Sequence, residues 1–319
     1  MPELFLTIFF ISILLIFLGT GVWVALSMVG VSAIGMLLFT SRPVGDAMAT
    51  TIWGTSSSWT LTALPLFVWM GEILFRTKLS KNLFKGLAPW MSRLPGGLIH
   101  VNVVGCALFA AISGSSAATV ATVGKMSIPE LRKRNYPEKL ILGSLAGSGT
   151  LGLLIPPSII LIIYGVTVQE SIAKLFIAGI IPGIMLAIFF MLYVIGWSML
   201  NKNSMPKMDE TFSFSQKIKQ SGQLIPVIVL IVAVIGSIYV GIATATEAAS
   251  LGVVGALILS LFQKSLNKET FKLSLLGATK TSCMIAFILA GSAFLSLAMG
   301  FTGLPRALAI WINEMELSP

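Results

Sequence analysis

The sequence predicts an all-α integral membrane protein, and three of its properties support that class. Hydrophobic residues make up 56% of the chain and charged residues only 10%, whereas soluble domains carry about 25% charged residues. Several apolar stretches approach the roughly 20 residues that a membrane-spanning helix needs. A series of alternating stretches of roughly ten residues, typical of barrel strands, does not occur, so the sequence favours helices.

Seven apolar stretches are candidate spans. The first is joined to the second by Gly19-Thr20-Gly21, which predicts a tight turn. No basic segment precedes the first and no small-residue cleavage site follows it, so we interpret it as a mature helix rather than a signal peptide. The stretch 97–170 is also apolar but interrupted. The seven candidates are residues 4–18, 21–39, 55–75, 175–200, 224–242, 246–262 and 281–301.

The distribution of Lys and Arg predicts the orientation of the chain. Nearly all of them lie in four connections between apolar stretches, and cytoplasmic connections carry such an excess in membrane proteins. If all four face the cytoplasm, the N-terminus lies outside and residues 97–130 form a re-entrant hairpin. The same placement argues against nucleic acid as the partner of this chain, despite its net charge of +9. The four connections are residues 76–93, 125–139, 202–219 and 264–280.

Two basic amphipathic stretches, 78–94 and 212–224, are candidates for helices that lie on the inner face of the lipid bilayer. Their apolar residues include Leu83, Phe84, Leu87 and Trp90 in the first stretch. The alternative interpretation is that both are loops whose lysines extend toward water.

Glycine and aromatic spacings repeat at an offset of about 220 residues. In the orientation above, the first copy begins on the inner side and the second on the outer side. The same pattern in opposite orientations predicts an inverted repeat, which is common in secondary transporters. The repeated sets are Gly19, Gly30 and Ala33 against Gly241, Gly252 and Gly255, and Phe67, Gly71 and Phe75 against Phe287, Gly291 and Leu295.

The offset also predicts where the second repeat stops. Residue 319 corresponds to about residue 97, just before the second copy of the hairpin would begin. We therefore expect an incomplete second repeat, through truncation or through an asymmetric protein. The expected organisation is scaffold helices and an interfacial arm in 1–96, a mobile transport part in 97–172, a connecting helix and linker in 173–223, and second-repeat scaffold helices in 224–319.

The segment Ser113-Gly114-Ser115-Ser116 is the predicted tip of the hairpin. Each half of 97–130 is too short to cross a bilayer, so the tip would lie at mid-depth, buried in protein or facing water. Gly114 permits the turn, and Ser115 or Ser116 can cap the second half-helix, whose N-terminus carries a positive dipole. The alternative is that these small residues only allow close helix packing.

The following span is predicted to break around Pro156 and Pro157. The two prolines lack backbone donors and disfavour helix just before them, and Gly147, Gly149 and Gly152 weaken it further. An unwound centre would expose carbonyl oxygens that can coordinate a cation. Ser158 is expected to help cap the helix that restarts.

The oxygens offered by these two segments are hydroxyls and carbonyls. No Asp or Glu occurs between residues 101 and 128 or between 141 and 169. Two broken helices meeting at mid-depth would form an ion and substrate site. A neutral oxygen cage suits Na⁺, and nothing in the pattern calls for a divalent metal or an organic cofactor.

The remaining titratable residues give no enzyme pattern. His100, the one histidine, is expected to have a satisfied role at the entrance of the hairpin. Asp46 and Asp209, the two aspartates, are interpreted as loop residues, which excludes an aspartate pair at membrane depth. No nucleophile and base lie together. We expect the protein not to be an enzyme.

Six further residues have structural interpretations. Thr244-x-x-Glu247 has the form of a capping box, which we favour over an acid at membrane depth. Glu72 can pair with Arg76 one turn on. The two cysteines, Cys106 and Cys283, are interpreted as packing residues.

Four runs resemble the large membrane subunit of tripartite ATP-independent periplasmic (TRAP) transporters. They are FAAISGSSAAT (109–119), GTLGLLIPPSI (149–159), FIAGIIPG (176–183) and ATATEAA (243–249). The resemblance implies an ion-transporter-type fold with scaffold and elevator domains in the bacterial inner membrane, with the N-terminus periplasmic. It implies Na⁺-coupled import of an organic acid such as a dicarboxylate or sialic acid. The implied partners are a small TRAP membrane subunit and a periplasmic substrate-binding protein.

The resemblance also assigns residues. Ser113, Gly114, Ser115, Ser116, Gly149, Thr150 and Pro156 match positions expected to hold Na⁺. Ser115, Ser116, Thr119, Pro157 and Ser158 match positions expected to contact the substrate. Family members continue into a second hairpin and a second unwound helix beyond the last residue of this sequence. An alternative expectation is therefore a truncated, non-functional fragment of such a permease.

Overall fold

The computed structural model describes residues 2–77, 79–206, 213–222, 224–303, 305–306 and 309–310. Helices joined by short turns make up this part of the chain, and no strand occurs within it, as the all-α prediction requires. The chain divides into two compact units, one of residues 1–59 and 282–319 and the other of residues 60–281.

The helices are α1 (Pro2–Gly19), α2 (Val24–Phe39), α3 (Val44–Ser56), α4 (Ala63–Phe75), α5 (Leu79–Met91), α6 (His100–Ser113), α7 (Ser116–Lys133), α8 (Glu138–Gly149), α9 (Ile159–Val168), α10 (Ile172–Leu200), α11 (Phe214–Ser221), α12 (Ile225–Tyr239), α13 (Ala245–Phe262) and α14 (Lys268–Phe301). By length and composition, α10, α13 and α14 can each cross a membrane. The pairs α3–α4 and α11–α12 would raise the number of spans from 3 to 5 if each pair crosses as one. The helices α1 and α2 are apolar but shorter.

In the first unit, aromatic rings of α1 pack against glycines of α2. The Phe17 ring lies 2.7 Å from the position that a Cβ on Gly30 would occupy, and the Phe10 ring lies 2.5 Å from that of Gly35. A separate buried cluster contains Met36, Phe294 and Ala298. Cys283 is exposed, so its interpretation as a packing residue is wrong.

In the second unit, the core lies where α6, α7 and α8 meet. Cys106 is buried there, as predicted. On another side, α13 packs against α4 and α12 through glycines that admit neighbouring side chains. The Met70 sulfur lies 2.5 Å from the Cβ position of Gly252, and Leu230 lies equally close to that of Gly255. The central members of the core are Leu98, Ile99, Phe109, Val123, Leu140, Ile141 and Leu145.

The predicted span 55–75 is wrong as a continuous helix. Helix α3 ends at Ser56, and a 3₁₀ turn over Trp59–Thr62 precedes α4. Consecutive serines at 56–58 explain the break, because serine side chains compete with helical hydrogen bonds. Asp46 is not a loop residue but lies in the first turn of α3, where a carboxylate favours the helix dipole. Asp209 lies outside the described residues.

The predicted span 281–301 begins earlier than hydropathy suggests. Helix α14 starts at Lys268, so Lys272 and Lys280 belong to the helix rather than to a connection. Lysine is a good helix former and can extend its ammonium group along a helix toward water. Hydropathy alone therefore placed the helix boundary too late.

Both predicted amphipathic stretches contain helices, α5 and α11, and these two pack together. The Trp90 ring lies 6.5 Å from the Phe214 ring, and its Nε1 donates to Ser221 Oγ at 2.6 Å. Leu83, Phe84 and Leu87 are buried in the core with α6 and α7. These three apolar residues of α5 therefore pack against protein, and the position of α5 and α11 on the inner face of the bilayer stays a prediction.

Two turns about 220 residues apart have the same hydrogen bonds, and they pair Gly241 with Gly21 rather than with Gly19, which is the last residue of α1. After α1, Gly21 has φ +83° and Val22 N donates to Phe17 O at 3.1 Å. After α12, Gly241 has φ +76° and Ile242 N donates to Ser237 O at 3.0 Å. A positive φ is easily adopted only by glycine, which explains why glycine recurs at both turns. The inversion of orientation between the copies stays a prediction.

An ion pair joins α7 to α8 at the base of the hairpin. Arg132 donates from Nε to Glu138 Oε2 at 3.0 Å, and its NH2 group also donates to Glu138 Oε1. These hydrogen bonds lower the pKa of the Glu138 carboxyl below its ordinary value. Both side chains are exposed, so solvent screens the pair.

Candidate functional site

The tip of the hairpin has the predicted turn. Helix α6 ends at Ser113, Gly114 adopts the left-handed conformation with φ +59°, and Ser115 precedes α7 in an extended conformation. Ser115 Oγ accepts a hydrogen bond from Ala118 N at 3.4 Å. Ser115, one of the two candidates named from the sequence, therefore caps α7.

The following helix is interrupted where the prolines predict it. Helix α8 ends at Gly149, a 3₁₀ turn covers Thr150–Leu153, and α9 begins only at Ile159. Ser158 precedes α9, but its hydroxyl donates back to Leu153 O at 2.8 Å instead of capping the helix. The capping role predicted for Ser158 is therefore wrong, because its Oγ accepts no backbone N–H of α9 and the bent backbone directs its hydroxyl toward Leu153 O.

The hairpin tip and the broken helix meet directly through backbone atoms. Ile159 N donates to Gly114 O at 3.1 Å. On the other side of the tip, a Cβ on Gly152 would lie 2.8 Å from Ser116 N. We call this contact the tip junction, defined by Gly114, Ser115, Ser116, Gly152 and Ile159.

Two hydroxyl groups near the tip bond to each other. Ser113 Oγ lies 3.0 Å from Thr119 Oγ1, and Ser115 N donates to Ser113 Oγ at 3.3 Å. Both Ser113 and Thr119 are buried. The structure thus joins the predicted residues 113, 115 and 119 in one hydrogen-bonded group.

Ser116 differs from these residues because its hydroxyl has no protein partner. Its Oγ is buried and makes no hydrogen bond with any residue in the described part of the chain. Buried polar atoms nearly always have a partner, so an orphan oxygen needs an explanation such as a bound ion or water. This oxygen lies at the first residue of α7, beside Gly152.

The predicted residues of the broken helix have different surroundings. Gly149 is buried against Val120, whereas Thr150 is exposed and donates to Gly147 O at 2.7 Å. Pro156 and Pro157 are both buried. Pro157 O would lie 2.7 Å from a Cβ on Gly114, so its carbonyl is next to the tip.

Two further glycines let other helices approach the site, a role that was not predicted from the sequence. A Cβ on Gly71 of α4 would lie 2.9 Å from Ser113 Cα, and one on Gly179 of α10 would lie 2.6 Å from Leu154 O. The sequence signals were present, since Gly71 occurs in the repeat and Gly179 in a family-like run. Spacing alone did not show which backbone each one meets.

A buried polar link between α6 and α8 was also missed. Asn102 Nδ2 donates to Ser144 Oγ at 2.9 Å and to Ile141 O at 3.3 Å, and Ser148 Oγ donates to Asn102 O at 3.4 Å. An amide at this depth in an apolar helix was the available signal. These bonds help hold the first half of the hairpin against the helix that breaks.

The other singled-out residues have structural roles. His100 is fully buried, with Nε2 donating to Pro95 O at 2.7 Å and Nδ1 lacking a partner among the described residues, so its predicted satisfaction is only partial. Thr244 and Glu247 form the predicted capping box, in which Thr244 N donates to Glu247 Oε2 at 2.8 Å. Arg76 pairs with Glu72 at 3.0 Å, as expected.

The contact between Gly149 and Val120 yields a paired test. A Cβ on Gly149 would lie 2.0 Å from Val120 Cγ2, and valine cannot easily rotate away because it is stiff at χ1. We expect Gly149→Ala to lower the free energy of unfolding by about 1–3 kcal/mol. Adding Val120→Ala removes the clashing methyl group and should recover much of this loss, as measured by denaturation in detergent. If the double variant is no more stable than Gly149→Ala, this contact is not the cause.

Comparison with known proteins identifies the family. Residues 10–319 match the family described as the DctM component of the tripartite ATP-independent periplasmic transporter. The chain belongs to this family. Membership of the DctM family confirms the resemblance drawn from the four runs, and it identifies the chain as a transporter component of the multi-pass membrane type.

Three relatives illustrate the similarity. The C4-dicarboxylate TRAP transporter large permease protein DctM of Pseudomonas aeruginosa is 32% identical over 90% of this chain and 66% of its own length. The protein of the same name from Rhodobacter capsulatus is 31% identical over 96% and 72%. The isethionate TRAP transporter permease protein DctMQ of Oleidesulfovibrio alaskensis is 31% identical over 92% and 46%. The chain thus spans from under half to nearly three-quarters of the lengths of these relatives.

Proposed function

We propose that the chain belongs to the large permease subunit of a transporter that imports an organic acid together with Na⁺. The observation that carries the proposal is the tip junction, where a hairpin and a broken helix meet through Ile159 N and Gly114 O at 3.1 Å. Secondary transporters place ion and substrate sites where interrupted helices meet. The DctM family and the relatives' names support transport rather than an enzymatic reaction.

The residues at the junction fit a monovalent cation. Ser116 Oγ is a buried oxygen without a partner in the described part of the chain. Gly114 and Pro156 would add carbonyl oxygens, and the hydroxyls of Ser113 and Ser115 retain accepting capacity. We therefore propose that Na⁺ is held by oxygens among Ser113, Gly114, Ser115, Ser116, Gly149, Thr150 and Pro156. A bound Na⁺ would supply a positive charge that compensates an anionic substrate.

For the substrate, we propose a carboxylate next to the N-terminus of α7. The first amides of an 18-residue helix carry partial positive charge, which attracts anions. Ser115, Ser116, Thr119, Pro157 and Ser158 remain the proposed contact residues. The relatives named for C4-dicarboxylates and isethionate support an organic acid without selecting one.

We also propose the assembly and the movement. The family description, a tripartite transporter, supports a small membrane subunit and a periplasmic binding protein as partners. The proposed location is the bacterial inner membrane, with the N-terminus periplasmic. The contacts of α6, α7 and α8 around one core support movement of the hairpin part as a single elevator body.

Uptake in proteoliposomes tests the coupling. The permease is produced at the full length that its gene encodes. It is reconstituted together with its small subunit and with binding protein that carries the substrate. We expect uptake of radiolabelled substrate only when a Na⁺ gradient is imposed. Equal uptake with a K⁺ gradient of the same size would overturn the proposed coupling.

Ser116→Ala tests the ion site in the same assay. Removing the orphan oxygen should raise the Na⁺ concentration needed for half-maximal uptake by about tenfold, because one ligand of an ion is lost, equivalent to roughly 1.4 kcal/mol. Ser115→Ala should act in the same direction. The matched control is Ser250→Ala, whose exposed hydroxyl donates to Thr246 O at 3.0 Å away from the junction. Unchanged Na⁺ titrations for both Ser115 and Ser116 variants would show that these serines only pack.

A further inference from the structure

A cavity of about 1250 Å³ lies beside the hairpin, at the end away from its tip. It is bounded by the end of α4, by α5, by the second half of α7, by α11 and by the start of α14. All of these elements belong to the unit of residues 60–281. The charged residues that line the cavity are Arg76, Lys85, Lys125, Glu130, Arg134 and Glu269.

Two of the four cations in this cavity already have carboxylate partners. Arg76 pairs with Glu72 at 3.0 Å, and Arg134 lies 4.0 Å from Glu130. Within the described ranges, neither Lys85 nor Lys125 forms an ion pair. Both lysines are solvent-exposed and line the cavity. Glu269 is the remaining acidic residue of the lining.

The cavity shares two helices with the tip junction. Helix α7 starts at Ser116, and Lys125 lies nine residues further on, about 13 Å along the axis at 1.5 Å per residue and on the opposite face of the helix. Helix α4 touches Ser113 through Gly71 and ends beside Arg76, which lines the cavity. The cavity is therefore separated from the tip junction by about two and a half turns of α7.

We propose that Lys85 and Lys125 form a second binding site for a small carboxylate anion, separate from the tip junction. This inference rests on the proposed function, because it takes its ligand from the transported organic acid. Thr122 and Gln220 also line the cavity and can donate hydrogen bonds to a carboxylate. Ammonium groups in water attract a carboxylate weakly and in a salt-dependent manner, which suits a site that must release its ligand.

The test measures the charge and occupancy of the cavity directly. Met126, which lines the cavity, is changed to cysteine in a Cys283→Ser background, since Cys106 is buried. The labelling rates of a negatively and a positively charged methanethiosulfonate reagent are compared in detergent. We expect Lys85→Gln with Lys125→Gln to lower the ratio of negative to positive labelling by about tenfold, because two nearby charges are lost. Thr270→Cys is a second reporter if Met126→Cys does not fold.

The matched control removes the same charge outside the cavity. Lys133→Gln with Lys219→Gln changes two exposed lysines that do not line it, and we expect the labelling ratio to change less than twofold. Millimolar succinate should slow labelling by both reagents in the protein that retains Lys85 and Lys125. It should have no such effect in the Lys85→Gln, Lys125→Gln variant.

Three outcomes would overturn the inference. The first is an unchanged labelling ratio in the Lys85→Gln, Lys125→Gln variant. The second is a changed labelling ratio without protection by succinate. That result would show that the two lysines alter the electrostatic potential of the cavity but do not bind the anion. The third is protection by mixed micelles of detergent and phosphatidylglycerol and not by succinate, which would indicate a lipid headgroup. Labelling does not depend on transport, so protection that persists when Na⁺-driven uptake fails would separate this inference from the proposed function.

Discussion

Gly114→Ala is expected to lower the stability of the protein more than an ordinary substitution in a helix. Gly114 has φ +59°, and an added Cβ would lie 2.7 Å from Pro157 O and 3.1 Å from Ile159 N. The left-handed conformation costs alanine about 1–2 kcal/mol, and the contact with backbone atoms adds to it. We expect a loss of about 2–4 kcal/mol in the free energy of unfolding. Thermal unfolding in detergent, followed by tryptophan fluorescence, measures this loss.

Two comparisons make this prediction specific. Gly143→Ala in α8 meets no atom within 4 Å and should leave the unfolding temperature unchanged or slightly raised, since alanine favours helix. Gly114→Asn tolerates a positive φ but carries the same Cβ. It should therefore recover the conformational part of the loss, about 1–2 kcal/mol, and keep the part due to the close contact. Equal unfolding temperatures for the Gly114 and Gly143 variants would contradict the close approach at the tip.

Gly152→Ala is expected to separate the broken helix from the start of α7. An added Cβ would lie 2.8 Å from Ser116 N and 3.0 Å from Ser115 C, which are backbone atoms that no rotamer change can move. We expect the free energy of unfolding to fall by about 2–3 kcal/mol, as for overpacked cores. A ligand that binds only the folded state raises the unfolding temperature. If Na⁺ binds at the junction, its stabilising effect should also disappear in this variant.

The measurement compares unfolding temperatures in NaCl and KCl at equal ionic strength. Gly196→Ala in α10 is the matched control, because its Cβ would meet nothing within 4 Å. The control should keep both the stability and the Na⁺ effect of the parent protein. If the Gly152→Ala variant is as stable as the parent protein, the junction can open without strain. Reduced stability with an intact Na⁺ effect would place the ion away from Gly152.

Much of the site could be predicted from the sequence because glycine, proline and serine act locally. Gly114 and Ser115 specify a turn and a cap whatever surrounds them, and the two prolines interrupt a helix by removing donors. For the same reason, the capping box at Thr244 and Glu247 followed from four consecutive residues. Each of these features depends on atoms only a few bonds apart.

The features that were missed depend on distant parts of the chain. Ser158 was expected to cap α9, but the bent backbone brought Leu153 O within reach of its hydroxyl. The spacing showed Gly71 in a repeat and Gly179 in a family-like run, but it did not show that they meet the tip and the broken helix. The start of α14 at Lys268 was missed for a different reason, since lysine is a good helix former and hydropathy does not measure helix propensity. The roles of individual residues toward Na⁺ and substrate stay predictions.

The tip junction has a consequence for how such a site can vary. Its closest contacts join main-chain atoms, namely Gly114 O with Ile159 N, and Gly152 with the Ser116 amide. These contacts are therefore formed by the main chain itself, and a side chain added at Gly114 or Gly152 would clash with it. Chemical diversity cannot be introduced at these positions without opening the joint. Any tuning of selectivity has to come from side chains, such as Ser115 within the junction and Thr119 beside it, while the main-chain contacts keep one shape.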